Sequence, residues 1–290
     1  MGSDDLCLDF VGRSLKVSFM TGTSNNSNAS KSPLISIVIP AYNEERRLPD
    51  TIRNLRAFFS RGAEAGTANL GVEILIVIEK SADRTVELAH ETVAGDSMFT
   101  IIANDVQRGK GYAVKTGMLH ARGELVFFMD ADLSTPLAEV FNFVGEFSSH
   151  ADVDILIGSR AEAKSQIIKK QTWIRRNMGR GFNRFVQAFG VSGIRDTQCG
   201  FKAFRKRTVE PLFSRQTING FAFDVEILVL AELIGYRVRT VPVRWVNSPD
   251  SKVRIWIDPL KMLYDLIRIK RIARRSLREK PLDPASNPRG

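Results

Sequence analysis

At 290 residues, 43% of them hydrophobic, the chain has a globular composition and the length for one large α/β domain or two small ones. Its formal net charge of +10 favours an anionic partner, whether nucleic acid, a phosphate-rich substrate or an anionic membrane surface. Two distant cysteines, Cys7 and Cys199, exclude a disulfide framework, the scattered His90, His120 and His150 share no metal-ligand spacing, and no apolar run reaches the roughly 18–20 residues of a membrane span.

Residues 1–33 end in the Ser/Asn-rich "TGTSNNSNASKSP" and read as a disordered lead-in. From Leu34 strands and helices alternate. "LISIVIP" is β-branched and apolar on both faces, as a buried parallel strand requires. Leu48, Ile52, Leu55 and Phe59 then mark one face of a helix. "VEILIVI" is a second strand, with Asp83 near the cap of the next helix. "FTIIA" is a third strand, "GKGYAV" opens a helix, and "ELVFFMD" is the fourth strand. Farther on, "DILIGSR", "KAFR" and "RVRTVPVRW" read as strands, and "FAFDVEILVLAELIG" as a largely buried helix. Such alternation implies right-handed βαβ units and an α/β fold with a mainly parallel sheet, whose ligands bind beyond the carboxyl ends of the strands. Pro40, Glu79, Asn104 and Asp130 all sit at or just past those ends.

The fourth strand ends in "DAD", two carboxylates one residue apart. Carboxylates this close repel unless a cation or a donor network neutralises them. Hard divalent ions such as Mg²⁺ or Mn²⁺ bridge protein carboxylates to substrate phosphates. Asp130 and Asp132 could therefore hold a metal that holds a diphosphate; alternatively Asp132 caps the helix beginning near Pro136 and Asp130 is solvated. Lys110 lies between Gly109 and Gly111 at a helix start. It could meet the diphosphate, since a helix N-terminus favours anions, or stay a solvated lysine in a turn.

"SIVIPAYNEERRLPDTI", "DADLSTP", "GSR", "RDTQCGFKAFR", "FAFDVEIL" and "SPDSKV", in this order, resemble the family 2 glycosyltransferases, and in particular their dolichyl-phosphate (polyprenyl-phosphate) β-glucosyltransferase branch. The resemblance covers roughly residues 33–268. It implies a GT-A fold, a Rossmann-like, mainly parallel central sheet flanked by helices. It also implies an inverting, metal-dependent enzyme moving a sugar, glucose from UDP-glucose by preference, onto a polyprenyl or dolichyl phosphate. Pro40, Tyr42 and Glu44 would line the nucleoside pocket, although Tyr42 could be core and Glu44 a first-turn helix acid. Asp130 and Asp132 would meet ribose and metal, Gln198 would complete the metal shell, and Mg²⁺ or Mn²⁺ would be the cofactor. Where the family carries Asp-Asp-Gly-Ser, this chain reads "IEKS". Ile78 replaces the first Asp, which leaves GDP-mannose as an alternative donor, and Glu79 is expected to take over the base or ribose contact.

On the acceptor side an ionised phosphate needs positive charge more than a base. The stretch 164–184 carries seven Lys/Arg. By resemblance Arg175 and Arg180 clamp the lipid phosphate, a task that suits the guanidinium fork, and Lys252 belongs to a loop that closes over the site. Asp224, acidic in an apolar helix, needs a partner. It could orient Arg175, approach the acceptor, or pair with a structural arginine such as Arg205. It is also the one candidate base should the acceptor be a saccharide hydroxyl.

The domain expectation is 1–33 lead-in, 34–257 catalytic domain, and 258–290 a basic amphipathic helix and tail. Arg268, Arg271, Arg275 and Arg278 share one side of that helix, which could lie in a headgroup plane or pack on the domain. The implied setting is cytoplasmic, peripheral to the cytoplasmic face of a membrane, with an anionic lipid surface as partner. Nucleic acid is not expected, because the aromatic residues follow core periodicity and form no stacking platform.

Overall fold

The computed structural model describes residues 34–62, 71–160, 166–167, 194, 196–246 and 258–279. The expected lead-in, most of the basic stretch 164–184 with Arg175 and Arg180, and the loop carrying Lys252 lie outside these residues.

Seven strands form one sheet in the order β3-β2-β1-β4-β7-β5-β8. β1 (Ile35–Ala41), β2 (Val72–Ile78), β3 (Phe99–Ala103) and β4 (Leu125–Met129) are mutually parallel. β7 (Phe201–Arg205) runs antiparallel between β4 and β5 (Ile155–Ser159), while β8 (Val238–Pro242) is parallel to β5. The sheet is thus mostly parallel with one reversed strand. Reversal has a local consequence: the start of β7 lies against the end of β4, so Gly200 O accepts from Asp130 N–H at 3.1 Å.

Alternation along the strands sorts the core into two layers. Ile35, Ile37, Ile39, Leu125, Phe127 and Met129 face α1 (Leu48–Gly62), α2 (Thr85–Val93) and α4 (Glu139–Ser149). Val38, Val77, Val126 and Phe128 face α3 (Lys110–His120), α5 (Lys206–Phe213) and α6 (Phe223–Ile234). Leu48, Ile52, Leu55 and Phe59 are all buried, as their spacing predicts. β2 and β3 follow β1 towards one edge, whereas β4 lies on its other side. The crevice beyond the carboxyl ends of β1 and β4 is therefore a topological switch point.

"RVRTVPVRW" is not one strand. β8 ends at Pro242, which has no N–H for a ladder. β9 (Arg244–Trp245) leaves to pair with β6 (Gln166–Ile167) in a second, two-stranded sheet. The C-terminal helix α7 (Asp258–Glu279) buries Ile269, Ala273 and Ser276, spaced by four and three, and the first two join the core beside α6. Ser276 Oγ donates to Arg215 O at 2.7 Å. Lys270, Arg271, Arg274, Arg275 and Arg278 remain exposed. No helix among the described residues is long and apolar enough to cross a membrane.

α3 sits unusually close to the sheet. A Cβ on Gly117 would lie 2.3 Å from Val38 Cγ1 and 2.9 Å from Val77 Cγ2. Gly117→Ala is therefore expected to destabilise the protein by about 1–3 kcal/mol despite the better helix propensity of alanine, read as a lower midpoint in urea unfolding.

Candidate active site

The switch-point crevice collects the ends of β1, β2 and β4 and the first turn of α3. β4 delivers Asp130 at its carboxyl end, and the chain turns at once. Leu133 N–H donates to Asp130 O at 3.2 Å, and Leu133 takes φ 47°, a left-handed conformation unusual for a branched residue. Asp132 Oδ1 accepts from Ser134 N–H at 2.9 Å. This local turn displaces the expected cap of the following helix, which begins only at Glu139.

Asp130 is held from two directions. Lys110 Nζ meets its Oδ1 at 2.7 Å, with the two side chains 24% and 29% exposed. On the other side Gly200 leaves room for the carboxylate, since a Cβ there would sit 2.0 Å from Asp130 Oδ2. Burial works against the charged form of Lys110, but the carboxylates of Asp130 and then Asp224 outweigh it and raise the pKa of the ammonium. The site thus already accommodates a positive group against Asp130. Two carboxylates on one turn, partly exposed, form an oxygen donor set suited to Mg²⁺ or Mn²⁺, and Gln198, two residues before Gly200 and half-buried, could add an amide oxygen. The described residues include no group of three or more His, Cys, Asp or Glu able to hold a metal, so a cation here depends on this mixed set and on substrate oxygens.

The loop after β1, which carries Tyr42 and Glu44, is stitched to the loop after β2. Asn43 N–H donates to Ser81 Oγ at 3.0 Å, Glu44 N–H to Thr85 Oγ1 at 2.7 Å and Glu45 N–H to Asp83 Oδ2 at 3.2 Å. Asp83 also accepts from Thr85 N–H at 3.1 Å, one residue ahead of Arg84, the N-cap of α2. Pro40 is half-buried at the end of β1, and the Glu44 carboxylate lies 3.7 Å from Arg47.

Glu79 grips the loop that leads into α3. Its side chain is buried, its Oε1 accepts from Asn104 Nδ2 at 2.8 Å, and its Oε2 accepts from Arg108 N–H at 2.5 Å and Gly109 N–H at 2.8 Å. These contacts tie Glu79 to the loop that presents Lys110. The anion ahead of α3 is thus the protein's own. Gly111 N–H donates to Asn219 O at 2.8 Å, so this first-turn donor is paired within the chain. Only glycine fits at 109, where φ is 120° and a Cβ would lie 2.6 Å from Asn219 O.

Asp224 also finds an unexpected partner. It pairs with Lys202, whose Nζ lies 2.6 Å from Asp224 Oδ1 and 2.7 Å from Cys199 O. Arg205 instead donates to the carbonyls of Val153, Phe147 and His150. Lys202 and Asp224 are 1% and 5% exposed. Burial raises the Asp224 pKa, opposed by Lys202 and Lys110. Lys202 is a functional candidate that sequence reading missed: inside "FKAFR" it looks like an ordinary strand residue, and its partner lies on α6, which packs on the same face of the sheet. The same loop is tied down by Asp196, which takes a two-pronged contact from Arg160 at 2.7 Å on each arm. Gln216 Nε2 donates to Gly111 O at 2.8 Å, bracing the first turn of α3 from the loop before α6. Burial, then Asp196, pushes the Cys199 thiol up to about 12, so it stays protonated and is no nucleophile.

The family model described as Glycosyl transferase family 2 matches residues 36–213. A dolichyl-phosphate beta-glucosyltransferase of Drosophila melanogaster is 37% identical over 241 residues, covering 81% of this chain and 74% of the relative. The Homo sapiens protein of the same name is 30% identical over 242 residues, with the same shares. Among solved structures, mannosyl-3-phosphoglycerate synthase from Rubrobacter xylanophilus superposes with a TM-score of 0.58 at 18% identity, covering 87% of this chain and 78% of that one. Glucosyl-3-phosphoglycerate synthase from Mycobacterium tuberculosis, in complex with Mn²⁺, UDP-glucose and glycerol 3-phosphate, gives 0.55 at 18% identity, with 82% and 79% covered. At these identities the structural likeness establishes the fold, a GT-A-like α/β architecture.

Lys202→Met would strand a buried carboxylate. The variant is expected to lose about 3–5 kcal/mol of stability, and Lys202→Met combined with Asp224→Asn should recover a substantial part of it. Urea unfolding of the two single variants and the double variant checks this.

Proposed function

As this chain belongs to glycosyl transferase family 2, we propose that it transfers glucose from UDP-glucose to dolichyl phosphate or a related polyprenyl phosphate, with inversion and with the help of a divalent cation. The observation that carries this reading is the 30–37% identity, over 81% of the chain, to relatives named dolichyl-phosphate beta-glucosyltransferase. The paired carboxylates at the switch point support it chemically, and a structural neighbour in complex with Mn²⁺ and UDP-glucose supports the choice of cation and donor.

In this reading Pro40, Tyr42 and Glu44 line the nucleoside pocket, and the Ser81–Asp83–Thr85 side chains keep that loop in place. Asp130, Asp132 and Gln198 hold the cation, which when bound offsets the negative charge that builds on the departing diphosphate. Lys110 adds a second positive charge on the same side. A lipid phosphate oxygen attacks the sugar carbon opposite the diphosphate; the new carbon–oxygen bond forms as the old one breaks, and UDP leaves with the electron pair. The attacking oxygen is already ionised, so no strong base is required. Asp224, buried against Lys202, then acts through its charge and not by taking a proton. Arg175, Arg180 and Lys252 are assigned to the acceptor phosphate by resemblance alone. The exposed Lys270, Arg271, Arg274, Arg275 and Arg278 of α7 suit an anionic lipid surface, where each contributes about 1 kcal/mol.

GDP-mannose remains the second donor to test, because Ile78, in the place of a family aspartate, is buried and apolar. Purified protein, Mn²⁺ and a polyprenyl phosphate are combined with radiolabelled UDP-glucose or GDP-mannose, and lipid-extractable label is counted. Label from UDP-glucose is expected; label only from GDP-mannose would reassign the donor. Asp132→Ala should lower turnover at least about 100-fold with an unchanged unfolding midpoint, and undiminished turnover would remove the cation from the mechanism.

A further inference from the structure

The contact between Lys110 and Asp130 poses a chemical conflict. A divalent cation entering at Asp130 and Asp132 would arrive beside an ammonium that already lies 2.7 Å from Asp130 Oδ1. An ammonium and a divalent cation held on the same partly buried carboxylate repel each other strongly. The backbone beneath Lys110 cannot yield, because Glu79 grips Arg108 and Gly109 and Asn219 O accepts from Gly111. The lysine stem, by contrast, has four rotatable bonds and ends among Phe128 and Phe221, whose ring centroids lie 5.3 and 6.0 Å from Nζ.

We propose that Lys110 is a built-in counter-ion of the cation site. It neutralises Asp130 in the free protein, gives up that oxygen when the divalent cation enters with the nucleotide, and turns its ammonium to the diphosphate. The aromatic rings provide a surface along which the ammonium can move without losing all electrostatic support. Such an exchange makes cation and nucleotide binding interdependent. The cation alone must expel Lys110, whereas the cation with a diphosphate gives Lys110 a new anion. This inference rests on the reading that Asp130 and Asp132 hold the donor's cation, and it adds the competition between that cation and the lysine.

The test uses the full chain and Lys110→Met, with Lys110→Gln as a second variant that keeps a polar end, each checked for a cooperative unfolding transition well above the assay temperature. Mn²⁺ binding without nucleotide is followed by the paramagnetic signal of the free ion, and UDP binding at saturating Mn²⁺ by calorimetry. The expected result is a pair of opposite changes: Mn²⁺ alone binds about tenfold more tightly to the variants, and UDP with Mn²⁺ about tenfold more weakly, as removal of one nearby charge dictates. Equal Mn²⁺ affinity in variants and parent overturns the exchange while leaving the cation site standing. Tighter Mn²⁺ with unchanged UDP affinity overturns it too, because the lysine then never reaches the diphosphate. Mn²⁺ bound by none of the proteins would sink the cation reading itself.

Discussion

A carboxylate at the end of a strand buried on both faces must find its counter-charge outside that strand. β4 is apolar throughout, so Asp130 takes an ammonium from the first turn of α3. The surroundings of that contact follow from the same requirement. β7 runs against β4, so a glycine arrives where any side chain would collide with the carboxylate. Behind it, Lys202 and Asp224 repeat the alternation of charge one layer deeper, where an unpaired member would be costly. The site is built as a sequence of opposite charges set into the end of a hydrocarbon layer.

The loops around the crevice are held by side chains that bind backbone groups. Ser81, Asp83 and Thr85 take the N–H groups of the loop after β1. Glu79 takes those of the loop before α3. Glu226, fully buried, receives Thr217 and Ile218 N–H in the loop before α6. Each such carboxylate or hydroxyl replaces water that a buried turn would otherwise lack. Rigid loops of this kind let an otherwise exposed rim hold side chains in fixed positions.

Much of this was readable in the chain, and the exceptions have physical causes. The first four strands announce themselves through β-branched, doubly apolar runs, and "DAD" through its place at the end of one of them. The reversal of β7 left no mark, because "KAFR" has the same alternation in either direction. The hold of Glu79 on the loop before α3 was not legible, because two of its partners are main-chain N–H groups, which every residue type supplies. That Asp224 needs a partner follows from its place in an apolar helix, but the partner's identity does not, because a lysine inside a core strand carries no local signal of pairing. "RVRTVPVRW" has the alternation of one strand, and only Pro242, which lacks an N–H, marks where it breaks.

The docking of α7 links the two extremes of the molecule. Ser276 reaches the carbonyl of Arg215, the next residue, Gln216, holds Gly111 O, and Gly111 follows Lys110 in the chain. Two hydrogen bonds and two peptide links therefore connect the basic tail to the lysine beside Asp130. Ile269 and Ala273 anchor the tail in the same hydrophobic layer as α6, so shortening the chain before them would open the interior as well as strip charge from the surface. Loss of lipid attachment after such a truncation would thus be confounded with misfolding, whereas replacing Arg271, Arg274 and Arg278 by glutamine would change the helix's charge and spare its footing.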